Sequence, residues 1–149
     1  MLDASPAFFD AVDYLAGVID PKVEVIRDDH QEAQWRATIK AGLAENRMSA
    51  DVVEAYAGLH LRNEKGQPIR PAAHHRLWLE FLCDDRIPFL LIMAPPEAAK
   101  TTWVISAWAA CRVGFYPEEP IIVCSETGPT ARKRVTSVRN QVITPSWQT

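Results

Sequence analysis

Glycine is scarce in this chain, with six in 149 residues. The scarcity bears on function, because loops that wrap phosphates rely on glycine for positive φ and close backbone approach. Cysteine is scarce too: Cys83, Cys111 and Cys124 are far apart, odd in number and set among apolar neighbours. That spacing excludes a disulfide framework and a cysteine-based metal site, and it reads as buried thiols in a reducing cytoplasm. No apolar run reaches the length of a bilayer-spanning helix. The start, Met1-Leu2-Asp3-Ala4-Ser5-Pro6, lacks the basic segment of a secretory signal. Repeats and low-complexity tracts are missing as well. The expectation is a soluble, cytoplasmic chain whose 48% hydrophobic residues are ample for a core.

Excess positive charge is also missing, and a net charge of -3 excludes a globally basic nucleic-acid binder. The charge is nevertheless uneven. Residues 1–93 hold 15 acids and 10 bases, whereas 94–149 hold 4 acids and 6 bases. No acid follows Glu126, while Arg132, Lys133, Arg134 and Arg139 cluster. A polyanion would meet this part of the chain; a solvated helix face explains the cluster equally.

Helical spacing appears at 7–19, with Ser5-Pro6 as cap and first turn, then at 31–45, and again from the N-cap Ser49 to Leu61. A short extended segment is expected at Val23–Ile26. The run Asn63-Glu64-Lys65-Gly66-Gln67-Pro68 is turn chemistry and marks a boundary. These features predict a mostly helical N-terminal extension over 1–70 and a second region over 71–149. In the second, His74–Cys83 reads as a helix burying Leu77 and Phe81. Phe89–Met93 reads as a strand buried on both faces. Lys100–Val113 reads as a helix capped by Gly114, Ile121–Cys124 as a second buried strand and Pro129–Val142 as a further helix. Strand–helix–strand–helix order predicts an α/β fold with parallel strands and flanking helices, behind the small helical region.

The chemistry concentrates at Ala94-Pro95-Pro96-Glu97-Ala98-Ala99-Lys100-Thr101-Thr102. An apolar run, a tight loop, Lys-Thr and a helix is the layout of a phosphate-binding loop. Lys100 would reach the outer phosphates and the Thr101 hydroxyl would ligate Mg2+. Backbone N–H groups of about 97–101 would cradle the phosphates at the helix start. Alanine stands at both glycine positions, Ala94 and Ala99, which calls for a loop of ordinary dihedrals or for weaker phosphate contact. Pro95 and Pro96 offer no N–H, and the Glu97 carboxylate repels phosphate unless it turns outward. Trp78, Trp103 and Trp108 read as core or interface rather than base-stacking platforms. Ser125, Glu126 and Thr127 stand either at a ligand-binding strand end or in ordinary turn and cap roles. Asp84-Asp85 and Glu118-Glu119 flank turns and are given no catalytic part.

Four stretches together resemble the ATPase domain of tailed-phage terminase large subunits. They are His74-His75-Arg76-Leu77-Trp78-Leu79, Leu90–Pro96 running into Ala99-Lys100-Thr101-Thr102-Trp103, Gly114-Phe115-Tyr116-Pro117, and Ile121–Thr127 followed by Ala131 and Arg134. The resemblance covers about 71–143 and departs from the family at Glu97 and Pro96, where members usually carry a small residue and often Arg. It implies the N-terminal part of an ATP-driven DNA-packaging motor that begins with a deviant Walker A loop at 94–101. ATP and Mg2+ would be its cofactors, Lys100 its catalytic phosphate contact, and one of His74 and His75, taken as His75, a neighbour of the adenine; an exposed pair at a helix start explains the two histidines equally. Double-stranded DNA, a small terminase subunit and the portal protein would be partners, in the host cytoplasm. The family's Asp-Glu pair and nuclease domain lie later in the chain, so Thr149 reads as a truncation point and the fragment alone as inactive. Two alternatives remain: another, helicase-like nucleoside triphosphatase, or a non-hydrolysing interaction module with a degenerate loop.

Overall fold

The computed structural model describes residues 28–143. The helix expected at 7–19 and the extended segment at Val23–Ile26 lie outside them. Six helical elements follow in order: α1 (Asp29–Ala44), α2 (Ala50–His60), α3 (Ala73–Leu82), α4 (Thr101–Ala109), α5 (Ala110–Phe115) and α6 (Gly128–Ile143). α4 is wound with π-type bonds and runs on into α5. π-Winding is rare and concentrates at functional positions.

Local chemistry starts these helices where the sequence signals it. The Asp28 carboxylate accepts from the Gln31 N–H at 3.1 Å to open α1, and the Ser49 hydroxyl accepts from the Val52 N–H at 3.4 Å to open α2. Asn63 closes the turn after α2, its side-chain oxygen accepting from Lys65 and Gln67 N–H at 2.9 and 3.0 Å. Gly66 in that turn has φ 73°, the left-handed value that glycine tolerates. Gly114 does not cap its helix. It lies inside α5, which closes at Tyr116.

α1 packs on α2, and α4 packs on α2, α3, α5 and α6. Gly58 makes the first of these contacts possible, because a Cβ there would sit 2.6 Å from the Trp35 indole. The core joins Val53, Tyr56 and Ala57 of α2, Leu79 of α3, Trp103 and Ala107 of α4, and Cys111 and Phe115 of α5. It therefore draws side chains from both sides of residue 70. The Tyr56 hydroxyl donates to the buried Gln141 side chain at 2.9 Å, tying α2 to α6. Arg76 ties α3 to α2 through Asp51 at 2.6 Å and Glu54 at 2.9 Å.

Two further expectations are corrected. The inward face of α3 is His75 and Leu79, while Leu77 and Phe81 are 48% and 43% exposed. The larger correction concerns the fold class: the described residues form no strand and no sheet, so the α/β architecture with parallel strands is replaced by a helical assembly. The only ladder contact among them is an isolated antiparallel bridge between Arg62 and Pro68. Residues 89–94 and 120–124 belong to no helix or strand and have no backbone partner among the described residues. Phe89, Leu91 and Met93 are 91%, 82% and 85% exposed, so the run expected to be covered on both faces has one face bare. In the second segment Ile122 is exposed while Ile121 and Val123 face a cavity of about 280 Å³ against α5 and α6. An apolar run specifies a buried strand only when neighbouring strands supply its hydrogen bonds, and these two segments do not supply them to each other.

The cysteines divide. Cys111 is buried, Cys83 half-buried and Cys124 exposed. Burial pushes both the Cys111 and the Cys83 thiol up, the latter to about 12, which keeps both protonated and unreactive.

Candidate phosphate-binding site

The loop that runs from Ala94 into α4 is built by its dihedrals. Glu97 and Ala99 take φ 67° and 52°, in the left-handed region that L-residues avoid. The second glycine position of the phosphate-loop pattern thus keeps a glycine-like backbone although alanine occupies it. Ordinary dihedrals, one of the two ways expected for alanine to be accommodated, are not what the loop adopts. Strained residues of this kind persist where surrounding structure holds them, and they gather at ligand sites. Glu97 carries the strain at an exposed position.

Lys100 enters α4 with helical φ −51° and ψ −48°. Its ammonium folds back onto the loop, donating to the Ala94 carbonyl and to the Pro95 carbonyl at 2.8 Å. Pro95 and Pro96 are exposed, while Ala98 to Thr102 are half-buried. The first bond from α4 into the loop is Trp103 N–H to the Ala99 carbonyl at 3.1 Å. The N–H groups of Ala99, Lys100, Thr101 and Thr102 have no acceptor among the described residues. Four free donors at a helix start, beside one ammonium, favour an anion through direct hydrogen bonds and the helix dipole.

His75 stands behind the loop and does not face outward. Its Nδ1 accepts from the Ala72 N–H at 3.1 Å, and its other nitrogen meets the Ala98 carbonyl at 3.0 Å. The ring stacks on Trp103 at 5.4 Å between centroids. Burial, as the largest influence, lowers its pKa, favouring the neutral ring. Trp103 itself is 2% exposed and belongs to the core, as expected. A cavity of about 580 Å³ opens beside the loop, walled by the turn from Asn63 to Arg70 together with His75, Ala99 and Thr102. The turn's part in this wall had no signal in the sequence beyond its Asn and Gly.

The other polar candidates lie apart from the loop motif. Arg132, Lys133 and Arg139 are exposed on α6 and Arg134 is half-buried, and no carboxylate pairs with them among the described residues. The Thr127 hydroxyl meets that of Thr130 at 2.8 Å and takes the Thr130 N–H, an N-terminal capping role for α6. Asp84 and Asp85 bind Arg86 and Arg112, at 2.7 and 3.3 Å, and are structural. No group of three His, Cys, Asp or Glu among the described residues has the arrangement to hold a metal ion. No helix among them is long and apolar enough to cross a membrane. Comparisons with protein-family models, curated proteins and solved structures found no match to this chain.

Proposed function

We propose that residues 94–102 bind the phosphates of a nucleoside triphosphate, and that the chain is the N-terminal part of a terminase-like DNA-packaging ATPase. One observation carries the phosphate site: the free N–H groups of Ala99 to Thr102 at a helix start, with the Lys100 ammonium beside them. The residues fit the ligand. Lys100 turns from the Ala94 and Pro95 carbonyls to a phosphate oxygen, and the backbone donors take the remaining oxygens. Thr101 supplies a hydroxyl for Mg2+, whose other positions water and phosphate would fill. Mg2+ neutralises phosphate charge, which the exposed Glu97 otherwise opposes. These groups serve ATP binding; hydrolysis needs in addition an acid that positions water. Double-stranded DNA, for which the basic residues of α6 are a meeting surface, the small terminase subunit and the portal protein are proposed as partners from the resemblance alone.

A second reading, an interaction module that binds no nucleotide, draws support from the bare row Phe89, Leu91 and Met93 and from the way Lys100 satisfies itself on its own loop. Equilibrium binding of a fluorescent ATP analogue with Mg2+ separates the two. A charge-assisted hydrogen bond contributes roughly 1.5–3 kcal/mol, so Lys100→Ala is expected to weaken binding about 10- to 100-fold. Equal affinity of the two proteins would remove the phosphate site and leave the interaction module.

A further inference from the structure

We propose that His75 is the positioning residue of the phosphate loop, an inference that rests on the phosphate site proposed above. The two hydrogen bonds of the ring fix its tautomer. Nδ1 accepts the Ala72 N–H, and a carbonyl oxygen only accepts, so the proton sits on Nε2 and is donated to Ala98. Both ring nitrogens and one ring face, against Trp103, are thereby committed inside the protein. Neither ring nitrogen is left to hydrogen-bond an adenine, and the imidazole's bonds go to the loop and to the start of α3.

That work has two parts. In a trans peptide the carbonyl oxygen and the following N–H point in opposite directions across one plane. Anchoring the Ala98 oxygen on α3 therefore turns the Ala99 N–H away from α3. Ala99, whose N–H belongs to this peptide, holds left-handed φ, and the ring opposes the flip of the 98–99 peptide that would relax it. The second part concerns the helix start. An α-turn continued back into the loop would hand the Ala98 carbonyl to the Thr102 N–H, four residues on. In the structure that carbonyl is directed at His75 on α3, off the line of the α4 axis bonds, and the Thr102 N–H stays free. One imidazole thus orients one anion donor and releases another.

Binding of inorganic pyrophosphate and of the ATP analogue, both with Mg2+, is to be measured for wild type, Lys100→Ala, His75→Phe and His75→Gln, each first confirmed folded by circular dichroism. Phe keeps the ring against Trp103 and loses the donor; Gln keeps a donor and an acceptor. The expected result is at least tenfold weaker binding of both ligands by His75→Phe and less than threefold by His75→Gln. Displaced Ala99 and Thr102 amide resonances are expected in the Phe variant alone. If wild type and Lys100→Ala bind alike, the phosphate site falls and the positioning role falls with it. If Lys100→Ala loses binding while folded His75→Phe keeps it, only the positioning role falls. Ring nitrogen shifts in the wild-type protein give a check that no variant's folding affects: a proton on Nδ1 rather than Nε2 overturns the proposal.

Discussion

Replacing Glu97 by glycine is expected to make the protein more stable. Glu97 is exposed and holds φ 67°, and the left-handed conformation costs an L-residue about 1–2 kcal/mol. Glycine adopts it freely, but its more disordered unfolded chain takes back roughly 0.5–1 kcal/mol. Little burial is lost at an exposed side chain, so the net gain is about 0.5–1 kcal/mol, or roughly 2–4 °C in Tm for a chain of this size. Urea unfolding monitored by circular dichroism measures it. Two controls isolate the backbone effect. Glu97→Ala removes the same charge and keeps the strain, so it is expected near wild type, and Glu97→Asn falls between because asparagine tolerates this region better. Ala98→Gly, at a neighbour without positive φ, is expected to cost roughly 0.5–1 kcal/mol, the ordinary penalty of glycine. The opposite signs at adjacent positions are the test. A Glu97→Gly protein no more stable than Glu97→Ala would refute the left-handed loop and the argument built on it.

Gly58→Ala places a methyl group 2.6 Å from the Trp35 ring and is expected to destabilise by about 1–3 kcal/mol through overpacking between α1 and α2, read from the urea midpoint; a midpoint equal to wild type would contradict the close approach. Burial first, and then the nearby Arg36 and Arg62, lower the His60 pKa to about 4 from 6.5. The unfolded chain therefore takes up a proton that the folded one refuses. Stability from this group is complete above about pH 6.5 and declines as pH falls toward 4, by about 3 kcal/mol at most. Unfolding free energies at pH 7 and 4.5 for wild type and His60→Gln check this, and an equal loss in both proteins would assign the acid sensitivity elsewhere.

The sequence made the helices and their starts readable because those signals are local. Ser49, the 31–45 periodicity and the Asn63–Pro68 turn all found their expected elements, since caps and turns depend on a few neighbouring atoms. The face of α3 was less readable: His75 and Leu79 point inward, not Leu77 and Phe81. The apolar content of a short helix permits more than one face, and the packing of α4 against α3 selects among them. Phe89–Met93 misled for a related reason, since a continuous apolar run carries no record of whether partner strands exist.

At the candidate site the residue types alone nominated Lys100 and Thr101, because an ammonium and a hydroxyl at a helix start have chemistry that needs no distant partner to be named. The tertiary structure decided the rest. Alanine and glutamate are poor candidates for positive φ, so the left-handed backbone of Ala99 and Glu97 had no signal in the residue types. The family resemblance placed His75 beside an adenine; that its nitrogens bind Ala72 and Ala98 and its ring packs on Trp103 is visible only in the structure. The sequence by itself determined where the helices start, where the chain turns and which stretch carries the residue types of a phosphate loop, because each depends on short-range hydrogen bonds and residue chemistry. Whether the apolar runs pair, which face of α3 is buried and how the loop is held depend on contacts between residues far apart in the chain, which only the folded arrangement supplies.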